Sequence, residues 1–181
     1  MREHLLASAL CFNIFLAAAA GAANVTLYDF ETDAEGWATE WGAKQEPVQS
    51  TKFARHGTGS LLFEHEFGKK NETAGVRIQF PAPRDFATDA GFAGFSAWIF
   101  IPTGDEWEAQ MYIHNGENWD WSEGQLYKKL EPGWHQLFIR PEQIQDAGKI
   151  RDIGIQVKNF KVVGKATVFI DQIEALSTSK E

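Results

Sequence analysis

The chain has 181 residues, with 17 basic and 25 acidic side chains and a formal net charge of −8. An acidic balance without a cluster of Lys and Arg argues against nucleic acid and against an anionic membrane surface as partners, because both are bound through a basic face. The single cysteine, Cys11, excludes a framework of disulfide bonds.

The N-terminal residues have the composition of an export signal. Arg2 precedes an apolar run from Leu5 to Leu16, and the small residues that follow offer a cleavage site after Ala22 or Ala23. Lipidation of Cys11 is the less favoured alternative, because the apolar run continues past it. We therefore predict a secreted protein, extracellular or periplasmic.

With cleavage of the signal, the chain has three predicted segments. Residues 1–23 form the signal, 24–176 form one domain, and 177–181 form a polar tail. Loss of the signal removes one basic and one acidic residue, so the mature net charge stays at −8. The mature length suits a single domain with a sizeable core, which we expect to be a monomer.

Alternation of apolar and polar residues dominates the mature chain. In chain order, the alternating or apolar runs are 25–31, 60–67, 76–80, 95–101, 107–113, 134–139, 153–157 and 168–173. The run 95–101 is apolar nearly throughout, as expected of a central strand, and only Pro141 to Gln145 has the pattern of a helical turn. Short strands bounded by Gly, Pro, Asn and Asp predict an all-β fold, an antiparallel β-sandwich of the jelly-roll type.

The seven tryptophans divide by their neighbours in the sequence. Trp134 leads an alternating strand and Trp37 follows a glycine, so we expect both to pack in the core. Trp98 is compatible with either face of its strand. The remaining four lie among polar or flexible residues: Trp41, Trp107, Trp119 and Trp121.

Exposed indole rings are unfavourable in water, so a persistent aromatic patch marks a binding surface. Trp119 and Trp121 are two residues apart and would share one face of a strand. A sugar ring stacks its C–H face on an indole while its hydroxyls reach polar side chains. We therefore interpret Trp41, Trp107, Trp119 and Trp121 as ligand platforms, with core packing as the alternative.

Polar side chains lie opposite the apolar positions of three predicted strands. On 108–114, Gln110 and Tyr112 face away from Ala109, Met111 and Ile113; Arg77 and Gln156 are placed similarly on their own strands. Such a face suits a hydroxyl-rich ligand, although an ordinary solvated sheet face would explain each residue singly.

Two carboxylates are candidates for a metal site. Glu31 follows the first strand and Asp171 lies on the last, and these strands are commonly neighbours in a sandwich. With carbonyl groups of residues 50–57 they would offer the hard oxygen ligands that Ca²⁺ prefers. The alternative is a pair of isolated surface carboxylates.

The segments resemble a known group, the jelly-roll carbohydrate-binding modules of secreted polysaccharide hydrolases, especially the mannan- and β-glucan-binding types. The matching segments are 28–31 with 36–37, 56–61, 95–102, 118–121, 133–137, 153–157 and 170–173. The resemblance implies a non-catalytic module that binds a β-linked polysaccharide by tryptophan stacking on a concave sheet. It also implies a structural calcium at Glu31 and Asp171, and a separate glycoside hydrolase as a candidate partner.

Two other classes of function remain open from the sequence. A small jelly-roll polysaccharide lyase or glycoside hydrolase would have to use Glu108 with His114 or Tyr112, because no other acid and base pair is in a suitable pattern. A protein-interaction module of the same fold would use the aromatic patch against a protein partner, although the export signal argues against the intracellular setting of such relatives.

Overall fold

A computed structural model describes residues 23–41, 43–89, 91–103, 107–159 and 163–178. Residues 1–22 of the predicted signal and most of the polar tail lie outside the described residues, so export stays a prediction. The described part is built from eleven β-strands, β1 to β11, and two single 3₁₀ turns at Pro141–Gln143 and Ala147–Lys149. None of the described residues forms a helix that is long and apolar enough to cross a membrane.

The first sheet has the strand order β3-β4-β11-β6-β9, with β1 also paired to β11. Its strands are β1 (Val25–Tyr28), β3 (Val48–Ser50), β4 (Ser60–Phe67), β6 (Phe92–Ile101), β9 (Gly133–Ile139) and β11 (Gly164–Ser177). All its pairings are antiparallel. The first strand pairs with the last, as expected from the sequence.

The second sheet has the order β2-β5-β10-β7-β8, and all of its pairings are antiparallel. Its strands are β2 (Ala38–Glu40), β5 (Thr73–Arg84), β7 (Trp107–Asn115), β8 (Asp120–Glu123) and β10 (Ile150–Asn159). The antiparallel β-sandwich predicted from the sequence is confirmed.

The core lies between the two sheets and follows the alternation of the strands. On β10, Ile153, Ile155 and Val157 are buried in it, and on β6 it holds Phe95 and Ile99. Because alternate side chains point to opposite faces, the residues between these apolar positions lie on the outer faces of the sandwich. The outer face of the second sheet carries the candidate site.

Candidate ligand-binding site

Strand β7 separates the core from the site. Trp107, Ala109, Met111 and Ile113 belong to the core cluster, whereas Tyr112 is buried outside it. The predicted alternation along this strand is therefore confirmed. Gly154 on β10 is in register with Tyr112 on one side and with Arg77 on the other, so the three positions form one row across the sheet.

Tyr112 lies beneath the candidate site and is not exposed on its surface. A Cβ atom at Gly154 would overlap the Tyr112 ring, so the ring lies across a position that has no side chain. Trp121 stacks on it with ring centroids 4.4 Å apart and planes 11° apart, and the ring of Trp41 lies 4.8 Å away. Tyr112 is 0% exposed. The expectation that Tyr112 orients a ligand directly is wrong, because the tryptophans cover it.

The Tyr112 hydroxyl donates a hydrogen bond to Glu40 at the end of β2. Burial raises the pKa of Tyr112 far above its ordinary value, and Glu40 raises the pKa further. The phenol therefore stays neutral and acts as a fixed hydrogen-bond donor.

Three tryptophans and one histidine form a continuous surface over this support, which we call the aromatic surface: Trp41, Trp119, Trp121 and His114. Trp41 and Trp119 are exposed, by 38% and 40%, and Trp121 is half-buried. The centroids of Trp41 and Trp121 are 5.6 Å apart. The His114 ring lies 5.3 Å from Trp121 and 5.9 Å from Trp119. The structure thus brings together three of the four tryptophans predicted as platforms.

The two exposed tryptophans are held by specific neighbours. Trp41 lies over Gly75, where a Cβ atom would come within 2.9 Å of Cζ3 of the indole. The guanidinium of Arg151 lies 5.0 Å from the Trp119 ring, in cation–π geometry. The Arg151 Nε donates to the carbonyl of Gly116 at 2.5 Å, which ties Trp119 and its turn to β10.

A network of charged groups lies beside the rings. Nη1 of Arg77 contacts Glu40 at 3.2 Å and Asp152 at 3.1 Å. Asp152 is 0% exposed and also accepts hydrogen bonds from the backbone N–H of His114 at 2.7 Å and from His114 Nδ1 at 2.8 Å. The buried carboxylate is therefore paired and hydrogen-bonded, as a buried charge must be.

Sequence reasoning did not assign Glu40 or Asp152 to the site. The signal that could have found Asp152 is register, because Asp152 pairs with His114 across β10 and β7. That pairing needs the strand order, which the sequence pattern does not provide.

Gln110 and Gln156 form a pair next to this network. Nε2 of Gln156 donates to Oε1 of Gln110 at 2.7 Å, and Nε2 of Gln110 donates to the carbonyl of Gly124 at 2.8 Å. Gln110 is buried, and its amide forms hydrogen bonds within the protein. Gln156 is half-buried and reaches the outer face. Of the predicted polar contacts, Arg77 and Gln156 are the accessible ones.

Two tryptophans lie elsewhere than expected. Trp107 is 3% exposed and packs against Phe67 at 5.2 Å, so its predicted role as a platform is wrong. It starts β7 on the core side. Trp134 is half-buried on the outer face of the first sheet, beside Phe100 at 5.3 Å, and is not a core anchor. Trp37, at 4% exposure, is a core residue as predicted.

Glu31 and Asp171 hold one loop between them. Oδ2 of Asp171 accepts hydrogen bonds from the backbone N–H groups of Arg55 and His56 at 2.6 and 2.9 Å. The Glu31 carboxylate accepts from the backbone N–H groups of Thr58 and Gly59 at 3.0 Å. The Gly59 and Thr58 donors lower the pKa of Glu31, whereas burial outweighs the donors at Asp171 and raises its pKa.

A surface cavity of about 230 Å³ lies at this loop, and its lining is rich in oxygen. Asp29, Glu31 and Gln172 contribute to it. Oε1 of Gln172 is buried and has no hydrogen-bond partner among the described residues. Carboxylate and amide oxygens are the ligand types that a hard cation prefers, but the described residues bring no three His, Cys, Asp or Glu side chains close enough to form a metal cluster.

Comparison with known families identifies the chain. The family described as "Mannanase, galactose-binding domain-like" matches residues 28–172, which include every residue of the aromatic surface. The chain belongs to this family. The comparison with curated proteins found no match.

Solved structures share the fold of the chain. A β-sandwich carbohydrate-binding module is 20% identical over 85% of the chain, with a TM-score of 0.66; the chain spans 62% of that protein. The CBM27-1 module of Caldicellulosiruptor saccharolyticus, solved with mannohexaose, is 15% identical over 88% of the chain and 100% of its own, with a TM-score of 0.67. The family 11 module of Clostridium thermocellum, solved with a β-1,3-1,4-mixed-linked tetrasaccharide, is 15% identical over 88% of the chain and 99% of its own, with a TM-score of 0.62.

Proposed function

We propose that the protein is a non-catalytic module that binds a β-linked polysaccharide of the mannan or β-glucan type. The observation that carries the proposal is the aromatic surface, in which Trp41, Trp119 and Trp121 gather on the outer face of one sheet. Family membership supports this ligand class, as do the oligosaccharides bound by the Caldicellulosiruptor and Clostridium modules.

The chemistry of the surface matches that of a sugar chain. Exposed indole faces stack on the C–H faces of sugar rings and remove apolar area from water. Arg77 and Gln156 lie at the margin with polar groups that can reach hydroxyls. Because Arg77 is already paired with Glu40 and Asp152, its charge is balanced and suits an uncharged glycan.

Two of the three groups considered for an enzyme, Glu108 and Tyr112, are poorly placed for catalysis. Glu108 is 7% exposed, and Tyr112 is covered by tryptophans with a pKa raised far above neutrality. A general acid or base must reach the substrate and titrate near the working pH. This burial supports a binding role in preference to a lyase or a hydrolase.

A glycan panel tests the proposal. We expect affinity electrophoresis in gels with galactomannan, glucomannan and mixed-linkage β-glucan to show retardation in at least one gel. Long incubation of the protein with the same polysaccharides should release no reducing ends and no unsaturated products. Product release that disappears on Glu108→Gln substitution would replace the binding proposal with an enzymatic one.

We also propose a structural calcium ion at the loop held by Glu31 and Asp171. The support is the oxygen-rich cavity and the unpartnered Oε1 of Gln172. Glu31 and Asp171 would hold the ion, and Asp29 and Gln172 offer further oxygen atoms. The ion would supply charge neutralisation and bind the folded state alone, which stabilises it by mass action.

Chelation tests the calcium proposal. A chelator should lower the melting temperature of the metal-loaded protein, and the chelator effect should vanish in Glu31→Gln and Asp171→Asn. Glu117→Gln, which changes an exposed carboxylate in the turn between β7 and β8, should keep the effect. A melting curve that is the same for calcium-loaded and fully stripped protein would contradict the proposal.

A further inference from the structure

We propose that Glu123 is a positioning residue of the binding site, which holds the indole of Trp121 in place over Tyr112. The inference rests on the proposed function and deepens it, because it identifies what keeps one ring of the aromatic surface ready to bind. The contact that carries it lies on an outermost strand of the second sheet.

Trp121 and Glu123 share one face of strand β8. They are two residues apart on Asp120–Glu123, so both side chains leave the strand on the same side. Nε1 of Trp121 donates a hydrogen bond to Oε2 of Glu123 at 2.9 Å. The indole nitrogen can only donate, and an ionised carboxylate is a strong acceptor. This hydrogen bond joins a half-buried ring of the aromatic surface to an exposed carboxylate.

The stacking of Trp121 is displaced by one row from its strand register. Across β7 and β8, Trp121 is the partner of His114, and Glu123 is the partner of Tyr112. The indole nevertheless stacks on Tyr112, with centroids 4.4 Å apart and planes 11° apart, and it meets the His114 ring at 76°. The Trp121 side chain must therefore lean along β8, from its own row to the row of Glu123.

The hydrogen bond to Glu123 fixes this displaced position. Parallel stacking sets the distance between two ring planes but allows the rings to slide and turn within those planes. A hydrogen bond has a defined length and direction. Because Glu123 lies in the row towards which Trp121 leans, its carboxylate favours the place over Tyr112 above the place over the register partner of Trp121.

The stacked rings of Tyr112 and Trp121 are tied to opposite edges of the sheet. The strand order β2-β5-β10-β7-β8 places β2 and β8 outermost. The Tyr112 hydroxyl donates to Glu40 at the end of β2, and the Trp121 nitrogen donates to Glu123 at the end of β8. One carboxylate at each edge therefore holds the pair.

A ring that is already in place costs less to bind, because ordering a side chain consumes part of the binding free energy. In titration calorimetry, we expect Glu123→Leu to weaken the binding of mannohexaose by roughly three- to tenfold, the value of about one hydrogen bond. Glu123→Gln, whose amide oxygen can accept from the indole, should stay within twofold of the wild-type protein. Glu142→Leu, the same change at an exposed glutamate of the turn Pro141–Gln143, should have no effect.

Proton–nitrogen NMR of the indole groups measures the positioning without a ligand. The Nε1–H signal of Trp121 is assigned by its loss in Trp121→Phe. A hydrogen bond deshields the donated proton, so we expect this signal to move upfield in Glu123→Leu and to stay near its wild-type position in Glu123→Gln. An unchanged Trp121 signal in Glu123→Leu would overturn the inference.

A double-mutant cycle separates positioning from direct contact between Glu123 and the sugar. Phenylalanine at position 121 keeps a flat ring but has no N–H group. If Glu123 acts through the indole, Glu123→Leu should have no further effect on affinity in the Trp121→Phe background. A carboxylate that bound the ligand itself would lower affinity by the same factor in both backgrounds, and equal factors would overturn the positioning role.

The outcomes separate this inference from the proposed function. Binding by the wild-type protein, with an affinity within twofold in Glu123→Leu, overturns the role of Glu123 alone. If mannohexaose does not bind but a polysaccharide of the panel does, affinity electrophoresis in that gel compares the same variants. An absence of binding to mannohexaose and to all polysaccharides overturns the proposed function, and the positioning role with it. If Trp121→Phe binds too weakly for the cycle, Glu123→Gln and the NMR spectra still decide.

Discussion

Trp41 and Trp119, the two exposed tryptophans, share an uncommon backbone conformation. Their φ angles are +51° and +58°, in the left-handed region that non-glycine residues seldom adopt. Such a conformation costs about 1–3 kcal/mol and persists where the surroundings hold it. Packing on Gly75 and on Arg151 provides that support. The two rings are therefore held in fixed orientations on one surface.

The burial of Trp107 could have been predicted from the alternation along its strand. The alternation that placed Ala109, Met111 and Ile113 on one face of β7 also places Trp107 on that face, and the structure buries all four. Polar and flexible neighbours on one side of Trp107 suggested exposure instead. The periodicity of the strand was the better guide, because side-chain direction is set by the backbone pleat.

Trp107→Ala should therefore destabilise the protein by about 3–5 kcal/mol, through lost burial and a cavity beside Phe67. Trp119→Ala should change the free energy of unfolding little, because the ring is 40% exposed. Denaturant unfolding of the two variants measures the difference. Equal losses would mean that Trp119 is a packing residue.

At the level of elements, two glycines make room for the aromatic surface. Gly75 on β5 lies beneath Trp41, and Gly154 on β10 lies beneath Tyr112. Glycine inside a strand is unfavourable for stability and often marks close approach by another group. Here the approaching groups are the rings of Trp41 and Tyr112, which both contact Trp121. The site therefore depends on the absence of a side chain at Gly75 and at Gly154.

Gly154→Ala tests this arrangement. The added methyl group would overlap the Tyr112 ring, which must shift and move Trp121 stacked on it. We expect affinity for mannohexaose to fall at least tenfold, with a loss of about 1–3 kcal/mol in stability from overpacking. Gly68→Ala is the matched control, since its nearest neighbour would be 3.9 Å from the new Cβ atom. Unchanged affinity in Gly154→Ala would show that Tyr112 does not position Trp121.

At the scale of the whole molecule, alternation and turn residues were sufficient to predict an all-β sandwich. They also placed Arg77, Tyr112 and Gln156 on outward positions of their strands. The sequence could not show that β5, β10 and β7 are neighbours, because that order depends on pairings between distant segments. The Glu40 contact with Tyr112 joins residues 72 apart in the chain, and no local pattern predicts it.

The absence of strand order from the sequence pattern also explains why the core position predicted for Trp134 was wrong. Its strand alternates as predicted, but alternation does not say which face meets the other sheet. Leu137 and Ile139 take the core side of β9, and Trp134 therefore lies on the outer side against Phe100. A large apolar residue at the start of a strand is compatible with either side until a partner strand is known.

The central claim is that the aromatic surface is where the protein binds its polysaccharide, and titration calorimetry with mannohexaose tests it most directly. Trp41→Ala and Trp121→Ala should each weaken binding at least tenfold, equivalent to about 1.4 kcal/mol, with the fold retained. Trp134→Ala, which removes a half-buried tryptophan from the outer face of the other sheet, should bind as the wild-type protein does. Full affinity in both surface variants, with loss of binding in Trp134→Ala, would contradict the account and move the site to the first sheet.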